Sequence, residues 1–343
     1  MGLTGTTYNE RASALVLNPA NMEGIRKLGF TLNFTGIFTN QIAPIQGPGT
    51  TGKSGTGFGP IPSGFIAGRI APRVVFGAGL VIETGYGSSF DDVICLDGAP
   101  VSPDPVDGNN PPHTPDTNPA TCTNPDPQSL DVTFFVGEAS VGTSFKIHEK
   151  FWLGLALRLP FSKQVADLWQ NVGAALGTPS YGRVKNDLSG VGFPTPRLGI
   201  TIKPSDKVSI GIMYRMWSRI KLTGTTETSI LTNPDGSPLQ LDSAADWNIP
   251  HALQFGLSFQ PNPYLLNAFE LRLQFHGADN QGNLNQTVIA SVPDGGLDLT
   301  TVVGFGWETV WSAKYGVEYR FRKADFMSWR GGLNVARSAA TEA

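Results

Sequence analysis

Apolar and polar positions alternate along this chain with a period of two, in segments of about ten residues, the signature of strands exposed on two unlike sides. From Val208 to Leu222, one face carries Val208, Ile210, Ile212, Tyr214, Met216, Ile220 and Leu222, and the other carries Ser209, Gly211, Arg215, Arg219 and Lys221. Phe151, Leu153, Leu155, Leu157, Leu159 and Phe161 alternate with Gly154, Ala156 and Arg158 in the same way. So do Phe269, Leu271, Leu273 and Phe275 with Glu270, Arg272, Gln274 and His276, and Trp311, Tyr315, Val317, Tyr319 and Phe321 with Lys314, Glu318 and Arg320. Further strands are predicted at about 28–39, 63–70, 73–85, 132–147, 196–203 and 250–260, and one more starts near Trp329. Short connections (Ile70–Arg73, His148–Lys150, Pro204–Lys207, Pro261–Asn267, Arg322–Ser328) take turns with long ones at 41–62, 86–131, 166–195, 223–249 and 277–309. An antiparallel meander with tight turns at one end and long loops at the other predicts an all-β transmembrane antiparallel β-barrel of the bacterial outer-membrane type.

The polar face fixes the expected register. It holds mostly Gly, Ser and Ala with isolated Arg or Glu, which suits a wet lumen better than a solubilising surface. A slip of one residue would turn Arg215, Arg219 and Lys221 toward lipid at about 2–4 kcal/mol each near the midplane. These three are therefore expected inside. Trp152, Trp217, Trp247, Trp307, Trp311 and Trp329 fall at strand ends, compatible with interfacial girdles, although Trp152 and Trp217 have inward parity.

Composition narrows the class further. The 343 residues include 25 Lys+Arg and 28 Asp+Glu, so charged residues make up 15% of the chain, below the roughly 25% of soluble domains. No apolar run reaches the roughly 18 residues a membrane helix needs. A net charge of −3 gives no drive toward phosphate backbones, so nucleic acid is not an expected partner.

Motifs that could carry chemistry read as incidental. Gly47 to Ser54 matches GxxxxGK[ST], but the sequel GTGFGPIPSG cannot form the helix that such a phosphate loop must precede. His113, His148, His251 and His276 lack ligand spacing, and no nucleophile–base set is present, so neither a metal, a cofactor nor an enzyme activity is expected. Asp91-Asp92 lacks the EF-hand pattern for calcium. Cys95 and Cys122 flank a Pro/Asp/Asn-rich segment; they form either a loop disulfide in an oxidising compartment or a pair of free thiols.

Two segments break the strand pattern. Glu10–Leu17 reads as a short helix ended by Asn18-Pro19-Ala20, because proline disfavours helix at the residue before it. Its apolar content argues for a plug inside the barrel, giving a hatch over 1–26 and a barrel over 27–343. Lys163–Gly177 places Val165, Leu168, Trp169, Val172 and Leu176 at helical spacing. This predicts an amphipathic loop helix that either roofs an apolar groove or packs on its own loop.

The segment Ala12 to Ala20 (ASALVLNPA) resembles the plug of the FadL-type outer-membrane transporters of long-chain fatty acids and related hydrophobic compounds. The resemblance continues at Arg73 (RVVFGAGLV), Lys150 (KFWLGLAL), Pro204 (PSDKVSIGIMYR), Asn248 (NIPHALQFGL) and Lys314 (KYGVEYR), in family order over nearly the whole chain. It implies a fourteen-stranded barrel with an N-terminal hatch, passive uptake of an apolar ligand captured between extracellular loops, and release through a gap in the wall. The pattern here supplies about eleven strands and ends in NVARSAATEA, so the chain is expected to lack about three C-terminal strands and a signal peptide. On this reading Asn18, Pro19 and Ala20 form the movable plug motif, and Leu168, Trp169 and Val172 line the capture groove. Arg158, Arg215 and Arg272 either pair a carboxylate headgroup in the lumen or form structural ion pairs, such as Arg272 with Glu270. The expected partners are a fatty acid or other hydrophobic molecule, membrane lipid and lipopolysaccharide, with the protein a monomer. A general diffusion porin and an adhesive or receptor barrel are the alternatives.

Overall fold

The computed structural model describes residues 4–8, 11–40, 42–43, 52–53, 57–90, 130–171, 181–232, 235–276, 285–291, 298–304, 308–321 and 324–337. One helical turn, α1 (Ala14–Leu17), and a 3-10 segment over Pro19–Gly24 precede the strands. The strands are β1 (Leu28–Thr39), β2 (Ile42–Ala43), β3 (Gly52–Lys53), β4 (Gly57–Ala71), β5 (Val74–Phe90), β6 (Leu130–His148), β7 (Phe151–Asn171), β8 (Tyr181–Val191) and β9 (Thr195–Ser205). They continue as β10 (Val208–Arg215), β11 (Ser218–Thr232), β12 (Pro238–Ile249), β13 (Ala252–Asn262), β14 (Leu265–Gln274), β15 (Asn285–Ser291), β16 (Asp298–Gly304), β17 (Val310–Phe321) and β18 (Ala324–Ala336).

All but β2 and β3 form one 16-stranded antiparallel sheet. Five pairs of successive strands (β8–β9, β10–β11, β12–β13, β14–β15 and β16–β17) continue one another, so the sheet makes eleven passes. Among the described residues, β1 pairs only with β4, and β18 only with β17. The tight turns fall where the sequence places them, at Pro72-Arg73, Glu149-Lys150, Asp206-Lys207 and Pro263-Tyr264. At the last of these, Asn262 Oδ1 accepts from the backbone N–H of Tyr264 (3.0 Å) and of Leu265 (3.1 Å), the side chain replacing a backbone acceptor.

Several expected long loops prove to be strand. β7 and β8 cover most of 166–195, β11 and β12 most of 223–249, and β15 and β16 part of 277–309. Over its described part, residues 163–171, the helix expected at Lys163–Gly177 is strand. β7 runs through Leu168 and Trp169 to Asn171 and pairs with β8 over Phe161–Asn171, so helical spacing of apolar residues yields to a partner strand that satisfies the backbone. Val172 lies outside the described residues, as do Cys95 and Cys122. Gly52-Lys53 belongs to a two-stranded ribbon with Ile42-Ala43 rather than to a helix start, which agrees with discarding the phosphate-loop match.

The register holds near the tight turns and inverts farther up. In β10, Met213 and Arg215 are buried and Ile212 is exposed, as expected. In β11 it is Ile220 and Leu222 that are fully buried, while Arg219 is 56% exposed and Lys221 points outward. The expectation that Arg219 and Lys221 face the lumen is thus overturned. Met216 and Trp217 separate the two strands, so the inward positions run Arg215 then Ser218, three residues apart, and every later side chain changes face.

The same inversion occurs in both neighbours. Inward residues are Val184, Asn186 and Leu188 in β8 but Thr195 and Arg197 in β9, with Gly192, Phe193 and Pro194 between. They are Leu241, Ser243 and Ala245 in β12 but Ala252, Gln254 and Ser258 in β13, with Pro250 and His251 between. The three breaks are adjacent: Arg215 sits opposite Arg197 and Ala252, and Ser218 opposite Ile249. They divide the wall into a stem below and a collar above.

In the stem, the outward residues of β7 from Phe151 to Phe161 are all apolar. Ten steps of about 3.3 Å at a tilt near 40° span about 25 Å along the barrel axis, the height of a transmembrane band. Tyr319, Phe321 and Trp329 face outward at its lower rim and Trp311 at its upper rim. In the collar the outer surface is charged, with Arg183 on Asp167 (2.7 Å), Lys163 on Asp187 (3.3 Å), and Arg219 on Asp246. The collar interior is an apolar core of Phe134, Val136, Leu188, Ile220, Leu222, Ala245 and Ile249, with the Trp247 ring 4.5 Å from that of Phe134.

Candidate functional site

The inner face of the stem is built to take the N-terminal segment. Gly154 and Gly199 are register partners on β7 and β9, and Gly211 and Gly256 are partners on β10 and β13. A Cβ on Gly199 would collide with Asn18 Oδ1, one on Gly154 with the Ala20 backbone, and one on Gly211 with the Thr6 carbonyl. The glycines thereby form a floor on which the segment lies flush, and Ala12, Ala14, Leu15, Met22 and Ile25 pack against Phe65, Ala67, Val75 and Ala156.

Asn18 ends α1 in extended conformation (φ −156°, ψ 102°), as the following proline demands. Its Oδ1 accepts from the Ala20 N–H (3.2 Å), and its Nδ2 reaches Thr6 O (2.8 Å), Ile200 O (3.1 Å) and Thr201 Oγ1 (3.1 Å). Asn21 Nδ2 also donates to Thr6 O (2.8 Å), and Thr201 donates to Asn21 Oδ1 (2.7 Å). Pro19 and Ala20 sit beside it, fully buried, with the Ala20 carbonyl accepting from Ser144 (2.7 Å). Residues 4–8 are held separately. Glu270 accepts from the N–H groups of Gly5 and Thr6 (both 3.1 Å) and from the Thr6 hydroxyl, and Lys314 Nζ neutralises its other oxygen at 2.8 Å. The pairing of Arg272 with Glu270 considered from sequence is replaced by this one.

Above the segment, at the level of the breaks, lies a buried ionic cluster. Glu138 on β6 is fully buried and accepts from Arg158 Nε (2.7 Å) and, through both oxygens, from Arg197 Nη1 (2.6 Å) and Nη2 (2.9 Å). Glu83 sits at a bulge in β5, the residue without a register partner between Ile82 and Thr84, and meets Arg215 Nη1 (3.1 Å) and Arg197 Nη2 (3.4 Å). Arg272 completes the group, within electrostatic reach of Glu83, Arg197 and Arg158. Three guanidiniums thus share two carboxylates, and Arg272 stands beside them near Glu83 and near Glu270, which Lys314 already neutralises, leaving two positive charges in excess. Arg158 Nη2, Arg197 Nε, Arg215 Nε and Arg272 Nε are buried with no hydrogen-bond acceptor among the described residues. Buried donors without partners cost about 1–3 kcal/mol each, so the cluster holds more donors and positive charge than its own carboxylates match.

The structure brings Arg158, Arg215 and Arg272 into one cluster, as the shared parity of their strands implies. It adds Glu83, Glu138 and Arg197, which sequence reading did not single out. A signal for the acids was present, since a lone glutamate on a lumen face otherwise lined by Gly, Ser and Ala requires a buried cation. Leu168 and Trp169 are separated from this cluster by the upper half of β7.

No protein-family model and no curated protein matches the sequence. Solved structures do match. The toluene transporter TbuX of Ralstonia pickettii superposes with a TM-score of 0.73 at 17% identity, over 98% of this chain and 84% of that one. The toluene transporter TodX of Pseudomonas putida gives 0.70 at 19% identity, over 98% and 82%. A FadL homologue of Pseudomonas aeruginosa gives 0.67 at 15% identity, over 99% and 78%. The chain has the fold of the FadL-type channels. At these identities the likeness reaches the barrel architecture and stops short of the ligand.

Proposed function

We propose that this protein is a bacterial outer-membrane channel for passive uptake of hydrophobic compounds that carry a carboxylate, long-chain fatty acids among them. The observation that carries this reading is the arginine cluster: two uncompensated positive charges and several acceptor-less N–H groups, buried between an apolar collar and a plugged stem. A carboxylate there accepts charge-assisted hydrogen bonds, worth about 1.5–3 kcal/mol apiece, while its tail lies on apolar wall. Arg215 and Arg272 are the principal ligand donors, since Arg158 Nε and both terminal nitrogens of Arg197 are engaged with Glu138. The structures of similar fold, named as transporters of toluene and as a FadL homologue, support a hydrophobic cargo.

The N-terminal segment acts as the hatch, with Asn18-Pro19-Ala20 at its centre, and the apolar band holds the stem in the bilayer while the charged collar meets lipopolysaccharide headgroups. Lateral release is best supported at the β5 bulge. There an apolar recess of about 390 Å³ lies on the wall at Leu32, Phe34, Pro62, Gly64, Leu80 and Ile82.

Uptake into proteoliposomes tests the reading. Arg215→Gln with Arg272→Gln is expected to cut decanoate uptake at least about tenfold, the factor for losing roughly 1.4 kcal/mol, while decane uptake is unchanged. Equal uptake of decanoate by variant and parent would discard the carboxylate role, and ion conductance without saturable uptake of either compound would favour a general diffusion porin.

A further inference from the structure

We infer that the arginine cluster and the collar are coupled, so that a carboxylate bound to Arg215 and Arg272, and drawing on the neighbouring Arg158, loosens the strand breaks and opens the collar. This rests on the carboxylate reading above and adds to it a moving part. The breaks leave backbone carbonyls outside the ladder, and such groups need donors when buried. Two of them take their donors from the cluster: Met216 O accepts from Arg158 Nη1 at 3.2 Å, and Pro250 O from Arg215 Nη2 at 3.5 Å. Pro194 and Pro250 supply no N–H, so regular pairing cannot close across the breaks. Among the described residues the breaks are crossed by single bonds, Gly192 N to Pro160 O (2.8 Å), Met216 N to Pro196 O (3.2 Å), Phe275 N to His251 O (3.1 Å) and Trp217 N to His251 Nδ1 (3.4 Å), and by the isolated bridge of Gly192 with Ile220.

The collar above this line is held shut by a side-chain core. Phe134 and Val136 of β6 pack against Leu188, Ile220, Leu222 and Trp247, which the inverted register of β8, β11 and β12 turns inward. A carboxylate arriving at the cluster competes for the same N–H groups as the two carbonyls, and it brings a full opposite charge and a bidentate geometry that a carbonyl lacks. The carbonyls lose their donors, the closed geometry of the breaks is weakened, and the collar tilts on them. A neutral hydrocarbon makes no such exchange. Linkage requires the converse: a collar already loosened binds the carboxylate more tightly.

The test uses the full chain in lipid nanodiscs. Nitroxide labels replace Thr133 on β6 and Asp242 on β12, both exposed, as Thr133→Cys and Asp242→Cys in a Cys95→Ser, Cys122→Ser background. Distances are measured by pulsed electron paramagnetic resonance with decanoate, with decane and with neither, and binding of each compound is measured separately by calorimetry. Decanoate is expected to add a longer-distance population that decane does not. In unlabelled protein, Trp247→Ala is expected to raise decanoate affinity about fivefold or more. An unchanged distance distribution with decanoate bound, an equal shift with decane, or unaltered decanoate affinity in Trp247→Ala each overturns the coupling and leaves the carboxylate reading standing. Failure of decanoate to bind at all overturns both.

Discussion

The stem and the collar are built from the same passes of chain, yet in three adjacent passes the wall is turned inside out between them, while β6 and β7 keep one parity throughout. In the stem, β9, β10 and β13 show Leu198, Ile212 and Phe255 outward and Thr201, Arg215 and Gln254 inward. In the collar, β8, β11 and β12 show Arg183, Arg219 and Asp246 outward and Leu188, Ile220 and Ala245 inward. The difference follows from the surroundings each must satisfy: hydrocarbon outside and a polar lumen in the stem, water outside and a closed apolar core in the collar. A break of two or three residues in each of these three passes accomplishes the change, because a strand's faces alternate with a period of two. The ionic cluster occupies the level where the inversion happens, where freed carbonyls and inward arginines meet.

Breaking the cluster should have the largest effect on this arrangement. Glu138→Gln strands Arg158 and Arg197 in a buried site, and a loss of about 3–5 kcal/mol is expected, read as a fall in the unfolding midpoint on heat-modifiability gels. The contrast of outer surfaces is sharpened by a matched pair. Leu155→Arg in the stem should cost about 2–4 kcal/mol, whereas Thr223→Arg, outward in the collar, should stay within about 0.5 kcal/mol. Equal costs for the two in denaturant titrations from bilayers would remove the distinction between the regions.

The glycine floor comes next. Gly199→Leu puts side-chain atoms where Asn18 Oδ1 lies, and overpacking of about 1–3 kcal/mol is expected to dislodge the N-terminal segment. Raised ion conductance and proteolysis near Leu17 would register that, and unaltered values of both would show that the segment does not depend on the floor. Smallest is Arg219→Ala, which removes an exposed pair with Asp246. A change of no more than about 1 kcal/mol, shrinking as salt is added, is the expected result.

Much of the stem was legible because its pattern is local. The alternation of Phe151 to Phe161 with Gly154, Ala156 and Arg158 needs no partner to be recognised, and the turns at Pro72, Lys150 and Lys207 declare themselves by residue type. The inward parity of Arg158, Arg215 and Arg272 could be read for the same reason. The collar was misread at Lys163–Asn171 and at Arg219 and Lys221. Val208 to Leu222 looks like one alternating run unless the pause at Met216-Trp217 is known to shift its phase, and only the neighbouring breaks at Phe193 and Pro250 reveal that it does.

The amino-acid order alone therefore determined a meander of strands with an apolar outer side in the stem, a helical turn stopped at Asn18-Pro19 but shorter than the Glu10–Leu17 helix expected, and Arg158, Arg215 and Arg272 aimed at the lumen. These are consequences of side-chain periodicity and of proline's fixed backbone, which act within a few residues. The tertiary structure alone decided that Glu83 and Glu138 would be shared among Arg158, Arg197 and Arg215, that Gly199 and Gly154 would lie beneath Asn18 and Ala20, and that three adjacent passes of the wall would invert above them. Those outcomes depend on register between strands distant in sequence, and a register is set by the pairing of whole strands rather than by any one of them.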